Sequence, residues 1–209
     1  IIMFALVDKS DNSITKMLSG NKGITIGDNQ YPRAIFTLWT EAERNAINIY
    51  TVTIDESKRK DEKWYINTNI TYSFDGTNAT GSYGDATAKA HADTTWTQEE
   101  IDDDKAPEGA DTDTVKVKGL KTVLIKQIKQ LAEGELNITD WYITRKAEKN
   151  TAIPSAITTH RDAVRSKQAS MCTAITNASD TPALETLYTY TRQDDGTVTR
   201  PLGELPTLE

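Results

Sequence analysis

Cysteine is almost missing from this 209-residue chain. Cys172 stands alone, so neither an intrachain disulfide nor a Cys-x-x-Cys metal site can form. Histidine is nearly as scarce: with only His91 and His160, a zinc site needs carboxylates for most of its ligands, which is uncommon. Clustered positive charge is lacking too. Lys and Arg number 24 against 31 Asp and Glu, and a net charge of −7 argues against nucleic acid as a partner, since its phosphates demand dense Lys and Arg. No long apolar run exists. Ile1 to Val7 is apolar but Asp8 ends it far short of the ~20 residues of a membrane span, which argues against a membrane partner. The stretch also lacks the basic start of a signal peptide, so it reads as a first strand, with Met3 a candidate natural start. The apolar fraction, 37%, lies below the ~45–50% of an ordinary domain and implies small cores, completed in part by a partner.

Reactive motifs are equally thin. No Gly-x-Ser-x-Gly elbow accompanies the many Ser and Thr residues. Gly20, Gly23 and Gly27 match neither a phosphate-binding loop nor a dinucleotide fingerprint, so no cofactor is expected. Asp102, Asp103, Asp104, Asp111 and Asp113 lack the spacing of a calcium loop and read as a solvated acidic face. His160 has no acid or nucleophile in a recognisable pattern around it and reads as a surface histidine; Cys172 reads as a packed or half-packed small residue. The sequons at Asn69, Asn78, Asn137 and Asn177 are expected by chance in so Thr-rich a chain.

What is present is a change of period along the chain. Residues 1–96 read as a mostly antiparallel β module. Strands are expected at Met3–Val7, Ile14–Leu18, around Ile24 and Ile26, over 31–39 behind Pro32, and at Ile49–Ile54. Thr40 and Glu43 form a Ser/Thr-x-x-Glu capping box that starts a short helix through Arg44 to Ile47. Trp64–Ile66 and Ile70–Phe74 are expected to form a hairpin, with Asp75-Gly76 as a turn and Thr77–Lys89 a weakly buried strand or arm. Residues 97–116, carrying the acidic runs around Pro107 and Gly109, read as a mobile linker or surface loop.

Residues 117–209 read as a helical-hairpin module with a short terminal β-hairpin, giving an α+β chain. Leu120, Val123, Leu124, Ile128 and Leu131 fall on one helical face, and Gly134 stands where a terminating glycine belongs. Trp141-Tyr142-Ile143 reads as an extended connection. Pro154 opens a long helix striped by Ile157, Val164, Met171 and Ile175, and Thr181-Pro182 opens a third helix as cap and first-turn proline. Asp195-Gly196 turns the hairpin between Tyr188–Thr191 and Thr197–Thr199.

The candidate binding residues are aromatic and cationic. Arg161 and Arg165, at i and i+4, share a helix face and either clamp a partner's carboxylates or pair within the domain with Asp140, Glu148 or Asp162. Trp39 and Trp141 read as core anchors, whereas Trp96, isolated among polar residues, reads as an exposed interface anchor. Four tryptophans and eight tyrosines also raise sugar stacking as an alternative.

The succession Thr139-Asp140-Trp141-Tyr142, Arg145-Lys146-Ala147-Glu148, Ile153-Pro154-Ser155, Arg161 with Arg165, and Asp195 to Gly203 resembles the C-terminal module of bacteriophage tail proteins. The likeness is in particular to the small tail-fibre assembly and tail-associated proteins of marine phages, over roughly residues 117–205. The Pro32-led segment, Leu38-Trp39-Thr40-Glu41 and Ile49-Tyr50-Thr51-Val52 likewise resemble the leading module of tail-fibre accessory proteins. The resemblance implies a non-enzymatic protein without a cofactor, acting in the virion tail or in the host bacterial cytoplasm during assembly. It would bind a tail-fibre or other tail or baseplate protein, as chaperone or structural subunit, with self-association allowed. Trp141, Tyr142, Arg161, Arg165 and Trp96 are the expected partner-binding residues. The alternative is a carbohydrate-binding receptor-recognition module of a tail fibre.

Overall fold

The computed structural model describes residues 2–208, which fold as two compact units divided between Thr87 and Ala88. The chain is α+β, with the strands concentrated in the first unit and the long helices in the second.

In the first unit the order is β1 (Phe4–Asp8), β2 (Ser13–Leu18), β3 (Ile24–Ile26), β4 (Asn29–Tyr31), α1 (Ile35–Leu38), α2 (Glu41–Ala46), β5 (Ile49–Asp55), β6 (Tyr65–Ile66), β7 (Thr71–Phe74) and β8 (Ala79–Ser82), with β9 (Thr87–Ala88) at the division itself. Five of these strands form one sheet in the order β2-β1-β5-β8-β7, antiparallel except for the β5–β8 pair. Period-two alternation explains why β1 and β5 are apolar on both sides. Ala5, Val7, Tyr50 and Val52 join Phe74 and Ala79 on one face, while Phe4 and Ile49 join Ile24, Ile35 and Phe36 on the other. Ile14 and Met17 from one edge strand and Tyr72 from the other pack on the first cluster, so the sheet curls around it.

Two local expectations are overturned here. The segment behind Pro32 is α1 and not a strand: the amides of Ile35, Phe36, Thr37 and Leu38 bond back to the carbonyls of Pro32, Arg33 and Ala34, and Ile35 and Phe36 are buried. The hairpin is β7–β8 around Asp75-Gly76; the segment around Trp64 stands outside the main sheet, with Trp64 and Tyr65 buried. Asp75 Oδ1 accepts from the amides of Thr77 and Asn78, which fixes that turn. The capping box of α2 forms as read: Thr40 accepts from the Glu43 amide and Glu43 from the Thr40 amide.

The second unit contains β10 (Thr94–Thr95), α3 (Gln98–Asp102), β11 (Val115–Val117), α4 (Leu120–Asn137), α5 (Asp140–Lys149), α6 (Ser155–Asn177), α7 (Thr181–Tyr188), β12 (Thr191–Arg192) and β13 (Val198–Thr199). The acidic stretch is a surface excursion from the β10–β11 ribbon. It carries α3, capped by a Thr97/Glu100 box, and so belongs to the second unit instead of standing between the two. The ribbon leads into Gly119, whose amide donates to Asp93 Oδ1 at 2.7 Å. The next two amides, of Leu120 and Lys121, donate to the carbonyls of Ala90 and His91, so the chain itself satisfies the donors of residues 119–121 at the start of α4.

α4 and α6 pack antiparallel, as the expected helical hairpin. Lys121 Nζ, near the start of α4, donates to the Thr176 carbonyl near the end of α6, and Arg161, near the start of α6, reaches Leu136 at the far end of α4. Leu124, Ile128 and Ala132 supply the buried row of α4, and Ile157, Val164, Met171 and Ile175 that of α6. Val123 and Leu131, expected in the seam, are exposed. A buried row at i, i+4 and i+8 is narrow, and both residues fall beside it. Gly134 does not end α4: the helix passes through it to Asn137, because contacts at Ala132 and Leu136 outweigh the ~1 kcal/mol that a helical glycine costs. Pro154 occupies the cap position of α6, one residue before the first turn, and Asp180, not Thr181, caps α7 by accepting from the Ala183 amide. The hairpin β12–β13 forms around Asp195-Gly196.

Candidate partner-binding surface

The expected extended connection at Trp141 is instead α5, and how it is held determines what it presents. Its first residue, Asp140, lies where a carboxylate complements the helix dipole. Its end is set by Asn150 in the left-handed region at φ 52°, whose amide donates to the Lys146 carbonyl. Between those limits none of the ten residues is buried. An isolated helix of that length is marginal in water, so its position depends on a tether.

Arg161 of α6 supplies the tether. Its Nη1 donates to Thr139 Oγ1 at 2.7 Å and to the Leu136 carbonyl at 2.8 Å, and forms an ion pair with Asp140 Oδ1 at 2.8 Å. One guanidinium thus meets the carbonyl end of α4, where a cation is favoured, and the acidic start of α5. Thr139, fully buried, adds its own hydroxyl bond to the Leu136 carbonyl. Arg161 is only 7% exposed, so it pairs within the domain and is withdrawn from the partner-binding set. His160 beside it is buried, not on the surface as expected, and its Nε2 has no hydrogen-bond partner among the described residues.

Outward from this corner the aromatic pair stands in solvent. Trp141 is 51% exposed and is no core anchor; Tyr142 is half-buried, with the two ring centroids 3.8 Å apart. The Arg145 guanidinium lies 4.7 Å from the Trp141 ring centre and 5.3 Å from that of Tyr142, within cation–π range of both. Ile138, Trp141, Tyr142, Arg145 and Lys149 recur at spacings of three or four and form one side of α5, with Ile138 exposed at its edge. Arg145 is absent from the expected partner-binding residues, although its spacing of three and four from the two aromatics is a signal present in the sequence.

The remaining expected residues lie elsewhere. Arg165 is exposed and pairs with Asp162 at 3.3 Å on the same helix. Trp96 is half-buried against the β10–β11 ribbon, with Lys116 Nζ 4.7 Å above its ring and also paired to Glu100; it is not the bare anchor expected. Those bonds hold the Glu100 carboxyl below its ordinary range: the one from Lys116 matters most, then that from the Thr97 amide. Trp39 is partly buried, edge-on to Tyr31.

A second aromatic–cation cluster was not anticipated. Arg200, on the terminal segment, lies 5.2 Å and 5.1 Å from the rings of Tyr188 and Tyr190 and pairs with Glu204 at 2.7 Å. The Tyr190 hydroxyl donates to the same carboxylate at 2.6 Å, a bond that raises its pKa. With Leu202 buried, this clasp fastens the terminal segment to the end of α7. Arg200, Glu204 and the Tyr190 hydroxyl satisfy one another, so it reads as structural.

Among the described residues no three His, Cys, Asp or Glu side chains gather to hold a metal ion, and no helix is long and apolar enough to cross a membrane. Cys172, half-buried, accepts from Gln168 Nε2 at 3.4 Å. Comparisons with protein-family models, curated proteins and solved structures find no match to this chain.

Proposed function

We propose that this chain is a non-enzymatic bacteriophage tail protein that binds a tail-fibre or neighbouring tail or baseplate protein through α5, as assembly chaperone or virion subunit. The observation that carries the reading is a ten-residue helix with no buried side chain, fixed at its start by Arg161 and displaying Trp141, Tyr142 and Arg145 outward. A tethered but uncovered aromatic–cation face suits docking, because Trp, Tyr and Arg supply most interface energy when a partner desolvates them. The phage assignment rests on the sequence resemblance alone. Within it, action in the virion tail or in the host cytoplasm during assembly follows. Sugar stacking on Trp141 is the weaker reading of this face, since Arg145 already lies over the indole.

Coexpression with the tail-fibre protein of the same phage tests the proposal. The expected result is a co-purifying complex, or a higher soluble yield of fibre. Trp141→Ala should weaken the complex by about 2 kcal/mol, some thirtyfold in Kd, as for an interface hot spot. Arg165→Ala and Trp96→Ala should change it little. A complex indifferent to Trp141 and Arg145 refutes α5 as the docking element.

A further inference from the structure

The first unit holds a concave site that partner docking through α5 leaves unused. The chain leaving β2 turns through Ser19–Gly23 into β3 and encloses, with Phe36 of α1, a pocket of about 460 Å³. That volume lies in the ~300–1,000 Å³ range of small-molecule sites. The lining contains Lys16 and Lys22 and no Asp or Glu. In a chain with a net charge of −7, a pocket with cations and no anions is against the general trend. Neither lysine has an ion pair among the described residues.

The loop is preformed. Gly20 sits at φ +67°, where a side chain would come within 3.0 Å of the Phe4 ring and 3.3 Å of Phe36. A Cβ on Gly23 would stand 2.6 Å from the Tyr31 carbonyl. Both glycines allow the loop to press against its own core, so little ordering is left for a ligand to impose. Around the rim, the Ser19 hydroxyl donates to Asn21 Oδ1 at 2.8 Å, leaving the Asn21 amide hydrogens as donors and the Ser19 oxygen as an acceptor. Thr25 adds a hydroxyl, and Phe36 and Ile24 an apolar floor.

We propose that this pocket binds a sugar acid: a ring with hydroxyls for the Ser19, Asn21 and Thr25 rim, an apolar face for the floor, and a carboxylate for Lys16 and Lys22. The inference rests on the first unit alone and stands or falls separately from docking through α5.

The test is an amide NMR titration of the full chain with glucuronate, glucose and inorganic phosphate at matched ionic strength. Saturable shifts confined to residues 16–25 and the vicinity of Phe36 are expected with glucuronate, at a Kd in the millimolar range. Glucose should bind at least about tenfold more weakly, the loss expected when a charge-assisted contact is removed. Lys16→Gln with Lys22→Gln, both at exposed positions, should abolish the glucuronate response while leaving the rest of the spectrum unchanged. Three results overturn the assignment: no saturation into tens of millimolar glucuronate, phosphate binding as tightly as glucuronate, or an undiminished response in the double variant.

Discussion

Replacing Arg161 by Leu should detach α5 without unfolding the α4–α6 seam. The magnitude follows from the two hydrogen bonds and the ion pair of Nη1. The Asp140 carboxylate is 51% exposed, so water recovers much of its side of the pair, and that contact contributes about 1 kcal/mol or less. The bonds to the Leu136 carbonyl and Thr139 hydroxyl come from a charged donor in buried surroundings, a class worth about 1.5–3 kcal/mol. Leu recovers part of this, because it no longer buries a guanidinium whose Nε lacks a partner. A net loss of about 2 kcal/mol in denaturant unfolding of the helical unit is expected. The sharper readout is local. With no buried residue, α5 has little else to hold it, so its amides should exchange faster and trypsin should cut after Arg145, Lys146 and Lys149. Asp140→Asn removes only the exposed contact and should cost about 1 kcal/mol or less. Equal losses in the two variants, or unchanged α5 protection in Arg161→Leu, would refute the tether.

Three further outcomes follow from single positions. Gly134→Ala should raise the melting temperature, with a gain of about 0.5–1 kcal/mol, because a Cβ there, in the last turn of α4, meets nothing within 4 Å. Gly119→Ala should act in the opposite sense: its Cβ would run into the Ala92 carbonyl, and displacing either segment by overpacking costs about 1–3 kcal/mol in thermal unfolding. Acidification should destabilise both units. Glu43 is held below its ordinary range chiefly by the Thr40 amide, Asp75 by the amides of Asn78 and Thr77, and Asp93 by Thr122 and the Gly119 amide. Depressed carboxylates stabilise the fold above their unfolded pKa, so that contribution is lost as pH falls from about 4 downward. A stability profile flat through that range would contradict these bonds.

What the sequence made legible was whatever depends on neighbours in the chain. The Thr40/Glu43 box, the Asp75-Gly76 and Asp195-Gly196 turns, the Ile157–Ile175 stripe and the α4–α6 hairpin all rest on residues within seven positions of one another, and each appears in the structure. The errors share a cause. Trp141 reads as extended because aromatic neighbours favour strands, yet α5 is fixed by a guanidinium 20 residues further on, and that contact is invisible to any local window. Gly134 reads as a stop because most glycines after a periodic run are stops, yet here the helix has a reason to continue three residues further. For the candidate site this matters twice. Arg161 was legible as one half of an Arg-x-x-x-Arg pair, but its role was not: burial decides whether an arginine meets a partner or its own chain. Once Arg161 is spent on Thr139 and Asp140, the residues left facing outward are those that it positions. The surface and its support therefore fail differently. Trp141→Ala should lose the partner with α5 intact, whereas Arg161→Leu should lose the partner because α5 no longer holds its place. Exchange measurements on both variants, read beside the binding loss, separate a contact residue from a positioning one, and a binding loss in Arg161→Leu with α5 still protected would return Arg161 to the interface.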